Sequence, residues 1–314
     1  MTTEAPGKPP DGQRPLAATA PGSQDGAAKP APGTRRPLDR DTIVRSVGVS
    51  LTLLAVVVLG FIGYLYFLSG VQEARAQTTL YAQLEGQLSQ AIAPTGPSTA
   101  GPIAPGSPVA ILNIPATGLH NEVVVEGTSP ENLTLGPGHL RDTPLPGQAG
   151  ISVLFGRRAT FGGPFAQLPQ VTPGAVVIVT TSQGTARYVV TTTADSARPV
   201  PFSSAPNQLL LVTADSSFAP AHYIEVAARL TTAPQPEPGG LPSVGTDEAA
   251  LGRDFFALIP AMAWALALAA TAIAGSIAAG RWARWPAWIA TIPVVIAVTW
   301  NLYQSLTALL PNLY

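Results

Sequence analysis

Leu209-Leu210-Leu211-Val212-Thr213-Ala214-Asp215 reads as a buried strand, an unbroken aliphatic and β-branched run that opens into a polar turn. Working outward, further β-like segments precede it: Val109–Ile114, Val123–Glu126, Ile151–Phe155, Val176–Thr180 and Ala186–Thr193. His222–Ala227 follows it. Clusters such as Gly136-Pro137-Gly138, Pro146-Gly147 and Pro173-Gly174 separate these segments. Many short strands at close spacing, with no helical periodicity between them, predict a closed or nearly closed all-β barrel.

Several motifs in this stretch are familiar. Leu112-Asn113-Ile114-Pro115-Ala116-Thr117-Gly118-Leu119, Val125-Glu126-Gly127-Thr128 and Leu135-Gly136-Pro137-Gly138-His139 resemble the opening motifs of the sortases, most closely class E. Leu145-Pro146-Gly147-Gln148-Ala149-Gly150, leading into Gly156-Arg157-Arg158-Ala159-Thr160-Phe161, is similar to the family's second block. Leu209–Asp215 looks like the strand that carries its nucleophile. The resemblance implies an all-β, eight-stranded sortase-like barrel of a surface transpeptidase. It also implies a groove holding an extended sorting-signal peptide between the nucleophile and acid/base positions.

The family uses Cys as nucleophile, His as acid/base and Arg to stabilise the oxyanion. Arg157 stands where its Gly-His-Arg places the His, and Ala214 where its Thr-Thr-Cys places the Cys. Counted without gaps into the last strand, Tyr223 takes the Arg position, with His222 beside it. The chain contains no Cys at all, so no thiolate can be made elsewhere. Thiol-based transpeptidation by this chain alone is therefore excluded. Disulfides and thiolate metal sites are excluded with it.

Only 11% of the 314 residues are charged while Pro and Gly abound, which is too apolar for one soluble globule. A net charge of −1 gives no footprint for nucleic acid. Residues 1–45 are low-complexity and read as a disordered cytoplasmic tail. Arg35, Arg36, Arg40 and Arg45 then precede an apolar run at 46–68, about 22 residues, enough for a bilayer core of roughly 30 Å. No cleavage site follows, so it reads as an uncleaved anchor with the N-terminus inside and the following chain outside.

Residues 69–93 continue as a helical stalk. Leu80, Leu84 and Leu88 form a stripe that packs on the barrel or makes a self-association seam. Residues 94–108 and 231–254 read as Pro/Gly-rich linkers flanking the barrel at 109–230. Two further apolar runs, 255–279 and 288–310, flank a short loop at 280–287 that carries Arg281 and Arg284. Those arginines place the loop in the cytoplasm and the C-terminus outside. The expected architecture is a barrel with one N-terminal and two C-terminal transmembrane helices.

Small residues at Ala261, Ala265, Ala269, Ala272, Gly275 and Ala279 suit close helix packing, against the chain's own spans or a membrane-protein partner. Asn301 and Gln304 suggest an interhelical hydrogen bond rather than an ion path. The tryptophans of this region read as interfacial anchors.

Candidate groove-lining residues are Arg157, Arg158, Asp215, Ser216, Ser217 and His222. Arg157 is placed to pair with Asp215, since guanidinium binds carboxylate bidentately; otherwise the two arginines face solvent or receive a ligand's acidic group. A Ser216 or Ser217 nucleophile with His222 would give relocated, Ser-based hydrolysis, although no nucleophile elbow or orienting acid is evident. His120 and His139 lack metal-ligand spacing, and no Gly-rich loop has a phosphate-cradle context, so neither metal nor cofactor is expected. The sequence thus reads as a multi-pass, membrane-anchored pseudoenzyme of the cell surface. Its leading role is binding a sorting-signal-like peptide or wall-linked protein, or serving as the outer part of a membrane complex. An automated label of sortase would describe its fold rather than its activity.

Overall fold

The computed structural model describes residues 40–96, 101–196, 207–216, 220–237, 239–281 and 284–314. The tail expected at 1–45 falls almost wholly outside these residues, as do Ser217 and Trp282. Eight strands close into a barrel: β1 (Pro108–Ile114), β2 (Leu119–Glu126), β3 (Gly138–His139), β4 (Ile151–Phe155), β5 (Val176–Thr181), β6 (Gly184–Asp195), β7 (Gln208–Ala214) and β8 (Tyr223–Leu230). Their order around the barrel is β1-β2-β3-β4-β7-β8-β6-β5. The Gly136-Pro137-Gly138 cluster, expected only to separate strands, contributes β3. That strand is two residues long, too short to leave any alternation in the sequence.

Two neighbouring pairs are parallel, β2 with β3 and β4 with β7. The second pair positions the site. Phe155 lies opposite Val212, so the chain leaving β4 at Gly156 and the chain leaving β7 at Ala214 emerge side by side. Alternation along β7 then sends its side chains to two layers. Leu209 and Leu211 point into the barrel with Leu112, Leu154, Tyr188 and Val226. Leu210, Val212 and Ala214 join Val153, Phe155 and Ala227 on the outer face. Both faces are buried, which is why β7 reads as an unbroken apolar run rather than an alternating one.

Helix runs without interruption from Arg40 to Ser89 as α1 (Arg40–Gly63), a π-helical turn (Tyr64–Leu68) and α2 (Ser69–Ser89). α2 docks on the barrel: Leu80 and Leu84 are buried against Val123 and Val125 of β2. Gln77 completes the contact, donating to the Val123 and Leu135 carbonyls and accepting from the Val123 amide at 2.7–3.0 Å. α3 (Leu258–Arg281) and α4 (Arg284–Thr307) form the C-terminal hairpin. Among the described residues, three helical stretches, Gly48–Ser89, Phe255–Ala278 and Ile289–Thr307, are long and apolar enough to cross a membrane. Leu53, Leu59, Leu266, Ile273 and Ile296 stand exposed on them, as lipid-facing residues would.

Three sequence expectations need correction. The segments at 94–108 and 231–254 are not free linkers. Gln148 and Ser182 donate to the Thr95 and Pro94 carbonyls, Ile103 packs on the core, and Gln235 exchanges backbone hydrogen bonds with Gly147 and Ala149. Among the described residues Asn301 has no interhelical bond; its amide donates to the Ala297 carbonyl one turn back. The bond between the first and third spans comes from Tyr303, whose hydroxyl donates to the Val57 carbonyl at 2.8 Å. Finally, the small-residue stripe is split. Gly275 faces Thr291, where an added Cβ would come within 2.7 Å of its methyl, and Ala261 is buried, whereas Ala265, Ala269 and Ala272 are exposed.

Candidate functional site

The site is built where β4 and β7 end together. Gly156 donates its N–H to the Val212 carbonyl at 3.0 Å and accepts from the Thr213 hydroxyl at 2.9 Å, which clamps the two strand ends. Gly is required there, because a Cβ would sit 2.4 Å from the Phe165 ring. The next residue, Arg157, is 0% exposed. Its Nε donates to the Leu133 carbonyl at 3.1 Å, Nη2 to the Pro130 carbonyl at 2.9 Å and Nη1 to the Thr160 hydroxyl at 3.2 Å. The guanidinium also lies 4.9 Å from the Phe161 ring centre, where the π face favours a cation. Burial pulls its pKa down to about 10, so it stays charged at neutral pH.

These contacts leave Arg157 none of its three sequence readings, since a buried and fully bonded guanidinium is not free to receive a ligand's acidic group either. It neither pairs with Asp215 nor faces solvent, because its fork is spent on two carbonyls and a hydroxyl. Among the described residues, Arg141 pairs with Glu248 at 3.1 Å, and His139 is hydrogen-bonded to Glu126 at 2.9 Å. Arg158 is the residue that reaches the end of β7. Its Nη1 donates to the backbone carbonyls of Ala214 at 2.9 Å and Asp215 at 2.6 Å. A buried Asp215 carboxylate oxygen has no hydrogen-bond partner.

Ala214 is fully buried and paired in register with Tyr223 on β8. His222 is exposed, while Ser216 is half-buried. His139 is tied down on both ring nitrogens, to Glu126 and to the Pro144 carbonyl, which gives it a structural place. His120 is exposed in β2. Among the described residues, no group of three or more His, Asp or Glu is placed to hold a metal.

What covers the outer face of β4, β7 and β8 was not expected from the sequence. Leu133, Ala250, Leu251 and Leu313 pack over Val153, Phe155, Leu210, Val212 and Ala214. Leu313 is 0% exposed, and its carbonyl accepts from the Arg158 N–H at 3.1 Å. The Tyr314 carbonyl accepts from Thr160, the hydroxyl held by Arg157. Asn312, also 0% exposed, donates its side-chain amide to the Thr128, Asp247 and Ala249 carbonyls. Residues 311–314 follow an apolar span and carry no pattern that distinguishes them from its end.

A second group missed by sequence reading is a carboxyl pair between α2 and the barrel. Glu73 and Glu122 both line a cleft of about 170 Å³. Burial raises the Glu122 carboxyl, and the neighbouring Glu73 adds to the effect, so that it is pushed up to about 8.

Residues 112–230 match the family model of the sortase domain. A point mutant of sortase E from Streptomyces avermitilis is 32% identical, covering 41% of this chain and 91% of that one, with a TM-score of 0.36. Sortase E1 from Streptomyces coelicolor, solved with a tripeptide in its active site, is 26% identical over 41% of this chain and 91% of that one, at a TM-score of 0.37. Sortase A from Corynebacterium diphtheriae is 18% identical over 52% and 86%, at 0.35. No curated protein matches the chain. The barrel and its motifs define a sortase fold, and the chain belongs to the sortase family.

Proposed function

We propose that this chain is a membrane-anchored sortase-family protein that works without sortase chemistry, as a non-catalytic binding or scaffold module outside the cytoplasm. The observation that carries the reading is the end of β7. A methyl group, that of Ala214, lies where the family resemblance expects a thiol, and the chain has no Cys to substitute for it. Arg157, at the expected acid/base position, is an unsuitable proton shuttle. Its pKa of about 10 lies far above working pH, and all three of its nitrogens are occupied. Tyr223, at the expected Arg position, offers a phenol in place of a fixed cation.

The arginines before the first span and between the last two support a topology with the N-terminus and the short loop inside, and the barrel outside. The apolar face of β4, β7 and β8 then serves as a peptide groove facing the cell surface. Incubation of the purified full chain in a membrane mimetic with sorting-signal peptides, followed by mass spectrometry, tests the reading. Intact peptide at every time point is expected; a cleaved or joined product would overturn it.

A further inference from the structure

The groove is already occupied by the chain's own Pro311–Tyr314, and the mode of occupation is that of a ligand. Pro311 has no N–H and turns the chain off the axis of α4, which ends at Thr307. The next residues do not stay with the lipid-facing helices but run over the end of β7. Leu313 supplies an apolar anchor beside Ala214, and backbone carbonyls at Leu313 and Tyr314 accept from Arg158 and Thr160. Asn312 reads out three carbonyls with one side-chain amide, while its own Oδ1 is buried without a hydrogen-bond partner. An apolar anchor, main-chain pairing and one polar readout are the parts of extended-peptide recognition.

We propose that Pro311–Tyr314 is a tethered peptide ligand of this groove, and that an external ligand is an extended peptide carrying an Asn-Leu pair that must displace it. The proposal rests on the reading of the groove as a non-catalytic peptide site. Tethering explains how so short a segment holds its place. At an effective concentration of order millimolar, an intrinsic dissociation constant of about 100 μM already fills the groove roughly ten to one. The same arithmetic weakens any competing peptide by that factor, because only the open fraction binds it. The C-terminal hairpin thereby becomes a gate: movement of α4 relative to the barrel changes how much of the groove is free.

The test uses the full chain in lipid nanodiscs and a fluorescent peptide with the sequence of residues 308–314, read by polarisation. Asn312→Ala removes the tethered segment's hold on the Thr128, Asp247 and Ala249 carbonyls, whereas the free peptide keeps an Asn to bond them. The expected result is saturable binding at least about tenfold tighter to the Asn312→Ala chain than to the unmodified one. Equal or weaker binding to the variant overturns the proposal, as does equal gain for a peptide in which the Asn-Leu pair is replaced by Ala-Ala. Leu313→Cys gives a second readout in a chain that otherwise has no thiol. Its maleimide labelling should be about tenfold slower than that of Ile92→Cys, an exposed position, and saturating peptide should accelerate it. Fast labelling without peptide, or slow labelling that peptide never accelerates, overturns the proposal. Mass spectrometry of the recovered peptide separates the two readings: a processed peptide refutes the non-catalytic function while leaving the tether standing.

Discussion

Arg157 shows how a single position can keep its place in a fold while changing its role. At the start of the loop after β4 it holds Leu133, Pro130 and Thr160 together, and Thr160 in turn holds Tyr314. A buried charge of this kind is tolerated only because every donor finds an acceptor. Lysine keeps the charge but not the planar fork. Arg157→Lys should therefore leave acceptors unpaired and cost about 1–3 kcal/mol, read as a lower unfolding midpoint. Gly156→Ala should be similarly harmful, by about 1–3 kcal/mol, because its methyl would collide with Phe165. Neither cost is visible in the sequence, where Arg157 reads as a groove residue that pairs with Asp215, faces solvent or receives a ligand's acidic group.

At the scale of elements, the docking of α2 on the barrel carries a pH dependence. Glu122 is pushed up to about 8 in the folded chain, from an ordinary value of 4.5, by burial first and Glu73 second. A carboxyl whose folded pKa is raised binds more protons folded than unfolded. Its contribution is fully present below the unfolded value and is lost as pH rises through about 8. Thermal unfolding of the full chain should therefore show stability falling from about pH 5 to pH 9. Glu122→Gln should flatten that fall; an unchanged slope in the variant would show that Glu122 does not carry it. The leucine stripe of α2 is a separate test. Leu84 is 0% exposed, so Leu84→Ala should cost about 2–5 kcal/mol by leaving a cavity against Val123 and Val125.

At the scale of the whole molecule, the outer face of the barrel depends on chain that arrives after it. Residues 246–252 and 311–314 complete the cover over Val212 and Ala214, and Glu248 is tied to both Thr128 and Arg141. A fragment cut to residues 95–235 would keep every strand yet lose Ala250, Leu251 and Leu313 from that cover. Such a fragment should bind a hydrophobic dye strongly and self-associate, whereas the full chain in a membrane mimetic should not. Dye fluorescence and light scattering on the two preparations check this. The same dependence explains why the segments expected to be loose linkers are stitched to the barrel by hydrogen bonds.

What the sequence alone determined follows from patterns that are local along the chain. The apolar runs announced strands and spans, the motifs from Leu112 to Asp215 announced the family, and the missing Cys is a plain matter of composition. Only the tertiary structure decided what lies beside what. The parallel pairing of β4 with β7 turned Arg157 inward, and the return of α4 laid Leu313 over Ala214. Both depend on contacts between residues far apart in the chain, Arg157 with Leu133 and Arg158 with Leu313. Such contacts are selected by closure of the barrel and burial of its outer face rather than by any preference of the residues themselves.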